Sequence, residues 1–329
     1  MKALIYNTRP DEIAFFESFS KKYLLDITLI SEDLTKASAH LAKGYEAVNV
    51  TAAVPIDVAI LALLKENGIK YIVSRATGIN HLDLQGIKAL GLKVANVPSY
   101  SPNAISEHAL MLALGLMRNL KDTVHRCDEK DFTLQGLRGR EIRKMTVGIV
   151  GTGKIGYEAI KAFKALGATV IAYDMYPSGK VKSYADYVTL DELYQKSDII
   201  SYHCPFIPEN YHLVNEISIA KMKEGVYLIN TSRGELFDYP AVLKGLKDGK
   251  IGALGFDVYE GEESFVRYNL KDKVLDDEVF NELMSLSNVI FTPHIGFFTD
   301  EAVSNMVEIS LENLNEFGAT GRCKNEISL

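Results

Sequence analysis

Three cysteines, Cys127, Cys204 and Cys323, are all that this 329-residue chain contains, and no CxxC pairing joins them. Their scarcity and spacing exclude a disulfide framework and a cysteine metal site, and they read as reduced structural thiols in a reducing compartment. Long apolar runs are also missing. The longest, about Ala109 to Met117, falls well short of the roughly 20 residues that a membrane helix needs. The opening MKALIYN is too short in its apolar part for a signal peptide and reads as a strand. A basic stripe is absent: lysines and arginines are interspersed with acids at a net charge of −7, which argues against nucleic-acid binding. No internal repeat, linker or low-complexity tract stands out. What is present is a chain 47% hydrophobic and 24% charged, able to bury a large core in two domains. A cytoplasmic enzyme without a metal centre is the expectation.

Strand-like and helix-like segments alternate almost throughout, which predicts an α/β fold with parallel sheets covered by helices. Candidate strands are Ala3–Tyr6, Ile27–Ile30, Ala47–Val50, Tyr71–Val73 and Val94–Asn96. A second series starts at Thr146 and continues through Val170–Tyr173, Tyr187–Thr189, Asp198–His203, Val226–Asn230, Ala253–Val258 and Val289–Thr292. Two sheets are more economical than a single sheet of a dozen strands. Pro55 opens and Asn67-Gly68 closes a helix over Ile56–Glu66. Pro98 and Pro102 place a boundary just ahead of an apolar helix over Asn103–Met117. An amphipathic helix over Glu301–Phe317 follows the last strand.

The most specific segment runs from Thr146 to Asp174. A strand-like TVGIV leads into Gly151-Thr-Gly153-Lys-Ile-Gly156, a helical run and VIAY follow, and Asp174 stands 18 residues after the last glycine. A bare GxGxxG is weak, but the strand before it, the helix after it and the acid beyond make a dinucleotide-binding fingerprint. Gly151 permits the tight turn, Gly153 clears a side chain where a pyrophosphate approaches the backbone, and Gly156 lets the helix lie close on the sheet. The pyrophosphate would sit on the helix N-terminus. Asp174 would accept from ribose hydroxyls and repel a 2′-phosphate, which predicts NAD rather than NADP.

Chemistry in open parallel sheets collects at the carboxyl ends of the strands, here in a cleft expected between the two sheets. Arg233, in Asn230-Thr-Ser-Arg-Gly234, offers a planar fork suited to a carboxylate. Asp257-Val-Tyr-Glu-Gly-Glu262 supplies acids after the next strand, and Thr292-Pro-His294 ends the last one. Glu262 has rivals in Glu260 and Glu263, and its spacing of five from Asp257 favours it. An arginine, an acid and a histidine are the groups needed to reduce a 2-oxo acid. His40, His81, His108, His125 and His212 show no ligand spacing and read as surface or core residues.

These segments, together with Asn96-Val-Pro-Ser-Tyr-Ser-Pro-Asn103, resemble the D-isomer-specific 2-hydroxyacid dehydrogenases over essentially the whole chain. YSPNA and EGEESF look most like the pyruvate-using D-lactate dehydrogenase branch, with the aromatic and branched-chain 2-hydroxyacid dehydrogenases a close second. The resemblance implies two Rossmann-like or flavodoxin-like domains: residues 1–100 plus 297–329 binding substrate, and 101–296 binding NAD and forming a homodimer. It further implies that His294 protonates the carbonyl oxygen as hydride reaches the carbon, that Arg233 clamps the carboxylate, and that Glu262 favours the protonated imidazole. Thr77 and Gly78 would bind the substrate carboxylate, Tyr100 would contact the substrate, and Phe297 would line the side-chain pocket. Lys154 and Ile155 would meet the pyrophosphate, Cys204 and Pro205 the adenosine, Asn210, Thr231 and Ser232 the cofactor, and Asp257 the carboxamide. Formate dehydrogenases of this superfamily have glutamine where Glu262 stands, which disfavours that activity. Nucleotide-sensing corepressors share the resemblance, but they usually carry partner-binding tails and none stands out here.

Overall fold

Period-two alternation in the first strand sends Leu4 and Tyr6 into one core and Ala3 and Ile5 into another, so helices must cover both faces of its sheet. The structure is a computed structural model that describes residues 1–329. It contains two units, Met1–Ser101 with Phe298–Leu329, and Pro102–Phe297.

The first unit has five parallel strands: β1 (Lys2–Ile5), β2 (Asp26–Leu29), β3 (Ala47–Val50), β4 (Tyr71–Ser74) and β5 (Lys93–Ala95). Their order is β2-β1-β3-β4-β5, the flavodoxin-like arrangement. One face packs against α1 (Ile13–Lys22) and the C-terminal helix Asp300–Thr320, through Phe16, Val307, Leu311 and Phe317. The other face packs against α2 (Val58–Glu66) and α3 (Leu84–Ala89), through Leu61, Leu64 and Ile87. Helix α2 begins two residues later than Pro55 suggested. Asp57 is extended and accepts the Ile60 N–H at 2.9 Å, which makes it the cap, while Ile56 forms a parallel bridge with Leu82. The C-terminal helix is longer than its apolar period, because Thr299 caps its start and Gly321 ends it at φ +71°.

The second unit has seven parallel strands: β6 (Thr146–Val150), β7 (Thr169–Tyr173), β8 (Asp186–Tyr187), β9 (Ile199–Tyr202), β10 (Val226–Asn230), β11 (Ile251–Phe256) and β12 (Val289–Phe291). Their order is β12-β11-β10-β9-β6-β7-β8. The chain therefore runs outward from β6 to β8, then crosses back to β9 on the other side of β6. A ligand site is expected at that reversal. Helices α4 (Pro102–Met117), α5 (Leu120–Asp128) and α6 (Lys154–Ala165) precede α7 (Leu190–Lys196), α8 (Glu216–Lys221), α9 (Tyr239–Lys247) and α10 (Glu278–Ser285). Pro102 is itself the first residue of α4, where its missing N–H costs nothing. The apolar run of α4 is core: Ala109, Leu112, Ala113 and Leu116 pack with Ile160 and Phe163 of α6. Strand β8 stops at Tyr187 because Thr189 turns to cap α7 in a box with Glu192.

Candidate active site

The two loops at the reversal of the second sheet touch. Gly151 has φ +90°, and a Cβ added there would lie 2.5 Å from the Cys204 backbone nitrogen. Only glycine satisfies both demands. At Gly156 a Cβ would lie 1.9 Å from the Gly151 carbonyl oxygen, so α6 can approach the turn only without a side chain. Gly153 differs, because a Cβ there would meet no protein atom within 4 Å. Packing does not require that glycine; a ligand filling the space would. No side chain caps α6 at Gly153, which leaves its first N–H groups and positive end for an anion. Lys154 and Ile155 occupy that first turn, and these residues fit a dinucleotide pyrophosphate.

Asp174 follows β7 and is held in place. Its Oδ2 accepts the Thr152 N–H at 2.6 Å and the Thr152 hydroxyl at 3.0 Å, and its Oδ1 accepts the Tyr176 N–H at 2.8 Å. A carboxylate has about four acceptor positions, so Oδ1 keeps capacity for a further donor such as a ribose hydroxyl. Beyond β9, burial pushes the Cys204 thiol up to about 11 and the His203 imidazole down to about 4, so both are neutral near pH 7. Asn210 fastens the loop that follows, donating to the Pro205 carbonyl at 2.8 Å and accepting the Ile207 N–H at 2.9 Å. Beyond β10, Thr231 is 8% exposed and its hydroxyl has no protein partner. A buried hydroxyl of this kind is free to bond a ligand or an ordered water.

The loop after β10 is shaped by Asn230, which is fully buried. Its amide donates to the Arg233 carbonyl at 2.9 Å, and its Oδ1 accepts both the N–H and the hydroxyl of Ser232 at 3.1 Å. Arg233 is thereby held in extended backbone, its Nη1 donating to the Ser232 carbonyl at 2.6 Å. Gly234 allows this loop to lie on the next one, since a Cβ there would be 2.2 Å from the Tyr259 carbonyl carbon.

His294 sits just past β12 with φ +54°, a left-handed conformation that costs a residue with a Cβ about 1–2 kcal/mol. The surrounding hydrogen bonds over-determine it. Its N–H donates to the Asp257 carbonyl at 2.8 Å, and the Asp257 carboxylate accepts the Ile295 N–H at 2.9 Å and the Gly296 N–H at 2.8 Å. Burial pushes the Asp257 carboxyl up, but hydrogen bonds from His108, Thr292 and the Ile295 N–H outweigh it and hold the group below its usual value. The imidazole Nδ1 is paired with Glu262 Oε1, and Glu262 Oε2 accepts the Tyr259 N–H at 2.7 Å. With Nδ1 engaged, Nε2 is the nitrogen available to a substrate. Of the three rival acids, Glu262 takes the histidine, Glu260 accepts from Tyr211 and pairs with His212, and Glu263 is exposed.

Thr77, Gly78 and Tyr100 belong to the first unit. The Thr77 hydroxyl donates to the Val97 carbonyl at 2.8 Å, and Asn96 donates to the Thr77 carbonyl at 2.8 Å, which fixes the loop after β4. The Tyr100 carbonyl accepts from Asn305 at 2.7 Å. Phe297 is half-buried and belongs to the second unit. Sequence reasoning gave no role to His108, Thr292 or the Asn230 side chain. His108 was visible only as one histidine beside Glu107 in a mostly apolar helix, and its partner Thr292 lies 184 residues away.

Residues 110–296 match the model of the D-isomer specific 2-hydroxyacid dehydrogenase NAD binding domain. The chain is 44% identical over 327 residues to an aromatic 2-oxoacid reductase of Clostridium sporogenes, covering 99% of each. It is 38% identical over 328 residues to a D-lactate dehydrogenase of Escherichia coli K12, covering 99% of this chain and 100% of the relative. Among solved structures, the NAD complex of a D-isomer specific 2-hydroxyacid dehydrogenase from Lactobacillus delbrueckii ssp. bulgaricus superposes with a TM-score of 0.88 at 34% identity, covering all of both chains. By this family model and these relatives, the chain is a member of the D-isomer-specific 2-hydroxyacid dehydrogenases, NAD-dependent oxidoreductases that act on CH–OH donors.

Proposed function

We propose that the protein reduces 2-oxo acids to (R)-2-hydroxy acids, with His294 as proton donor, and that aromatic 2-oxo acids are its preferred substrates. The His294–Glu262 pair carries the reaction, because it presents one imidazole nitrogen while a carboxylate braces the other. Bound NADH supplies the hydride to the carbonyl carbon. The His294 Nε2 proton passes to the carbonyl oxygen, and Glu262 orients the ring through its Nδ1. Arg233 clamps the substrate carboxylate. Phe297 contacts the rest of the substrate, and Asp257, Ser232 and Thr231 face the cofactor.

The 44% identity with the aromatic reductase, against 38% with the D-lactate dehydrogenase, favours the aromatic class. Pyruvate is the second reading, favoured by the YSPNA and EGEESF segments. One methylene in an apolar pocket is worth about 1–3 kcal/mol, so a few side chains decide between them. Steady-state kcat/KM for phenylpyruvate, 2-oxoisocaproate and pyruvate with NADH separates the readings. Phenylpyruvate is expected to lead by about tenfold or more; a lead for pyruvate would overturn the aromatic assignment and leave the reaction class intact.

A homodimer joined through the second unit is part of the same proposal. Helix α5 presents Leu120 and Val124, four residues apart and both about half exposed, and Phe132 and Leu134 follow at 75% and 87% exposed. Large exposed side chains concentrated in one segment mark a contact surface. Sedimentation should give twice the chain mass, and Leu134→Asp should shift it toward the monomer. A wild-type monomer at micromolar concentration would contradict the dimer. Placement in the cytoplasm is supported by three unpaired cysteines and by the absence of any helix long and apolar enough to cross a membrane.

A further inference from the structure

Three successive N–H groups, those of His294, Ile295 and Gly296, all end on Asp257, at 2.8, 2.9 and 2.8 Å. What holds Asp257 therefore holds the loop that carries the imidazole. Its Oδ1 accepts the Thr292 hydroxyl at 2.6 Å, and His108 Nε2 lies 2.8 Å from that hydroxyl oxygen and 3.3 Å from the same Oδ1. Proton counting fixes the direction. An ionised carboxylate can only accept, so the single Thr292 hydroxyl proton goes to Asp257, and His108 Nε2 must carry a proton and donate it to Thr292. The result is a chain of donors, from His108 to Thr292 to Asp257. Its source is rigid: His108 lies on α4, next to Ala109 and one turn before Leu112, both fully buried. The imidazole also packs on Gly296, where a Cβ would lie 3.5 Å from the ring and 2.9 Å from Asp257 Oδ2.

We propose that His108, acting through Thr292 and Asp257, is a positioning residue that holds the His294 loop in the geometry needed for proton transfer. The proposal rests on His294 being the proton donor. An imidazole displaced by a fraction of an ångström still binds cofactor and substrate but transfers its proton less often, so the effect belongs in kcat. His108→Leu keeps the volume and removes the donor, Thr292→Val removes the relay hydroxyl without touching α4, and His108→Gln keeps an N–H at about the reach of Nε2.

The test measures kcat, KM for the 2-oxo acid, NADH affinity by fluorescence and melting temperature for these three variants, for the His108→Leu/Thr292→Val double variant and for His294→Ala. Expected are losses in kcat of about tenfold for His108→Leu and for Thr292→Val, with NADH affinity within about twofold. His108→Gln should recover most of the loss, and the double variant should lose little more than the worse single one, because both act on one chain. Wild-type kcat in folded His108→Leu and Thr292→Val, or a His108→Gln variant no better than His108→Leu, overturns the positioning role. Should His108→Leu not fold, Thr292→Val and His108→Gln decide alone. Near-normal turnover in His294→Ala would instead sink the proton-donor reading beneath it, whereas its collapse beside an active His108→Leu defeats the positioning role alone.

Discussion

Replacing His294 with alanine should lower kcat for 2-oxo acid reduction by roughly 10²–10⁴-fold while leaving NADH affinity within about twofold. The size follows from the removal of a positioned general acid. Its Nδ1 is committed to Glu262, so Nε2 alone is left to serve the carbonyl oxygen, and no second imidazole shares that pair. The sparing of NADH follows from where the cofactor residues lie. The glycine turn at Gly151–Gly156 and Asp174 depend on contacts with Cys204, Thr152 and Tyr176, and none of these involves His294. Stopped-flow NADH oxidation with fluorescence titration of NADH separates the two quantities. A variant that turns over within a few fold of wild type would remove His294 from the chemistry.

Asp174→Ser should bring the largest change in cofactor choice. The carboxylate is fixed by the Thr152 and Tyr176 N–H groups, so it cannot swing away from a 2′-phosphate, and two anions so placed repel without relief. Serine keeps an acceptor for a ribose hydroxyl and removes the repulsion. The ratio of kcat/KM with NADPH to that with NADH should rise by about 10–100-fold, the equivalent of about 1.4–2.8 kcal/mol. An unchanged ratio would mean that Asp174 does not meet the ribose, and a wild-type preference for NADPH would refute its role outright.

How much of this was legible in the sequence depends on how local each cause is. The strands could be read because period-two and continuous apolar runs are set within four or five residues, and the glycine turn because its demands fall within six consecutive positions. Helix α2 was placed two residues early, since Pro55 is a generic start signal whereas the cap depends on Asp57 adopting an extended conformation. Glu262 could not be separated from Glu260 and Glu263 by chemistry, because all three are loop acids. The separation comes from the backbone: Gly261 is left-handed at φ +81°, and the Tyr259 N–H turns Glu262 toward His294. His108 was beyond reach for a different reason. Its meaning lies in Thr292 and Asp257, which are distant in sequence, and nothing local distinguishes it from a packed histidine.

Chiral analysis of the product formed by the wild-type protein from phenylpyruvate and NADH tests the central claim most directly. One NADH should be consumed for each molecule of (R)-2-hydroxy acid, with no (S) product. An (S) product, or tight NADH binding without turnover of any 2-oxo acid, as a nucleotide-sensing protein would show, would contradict it.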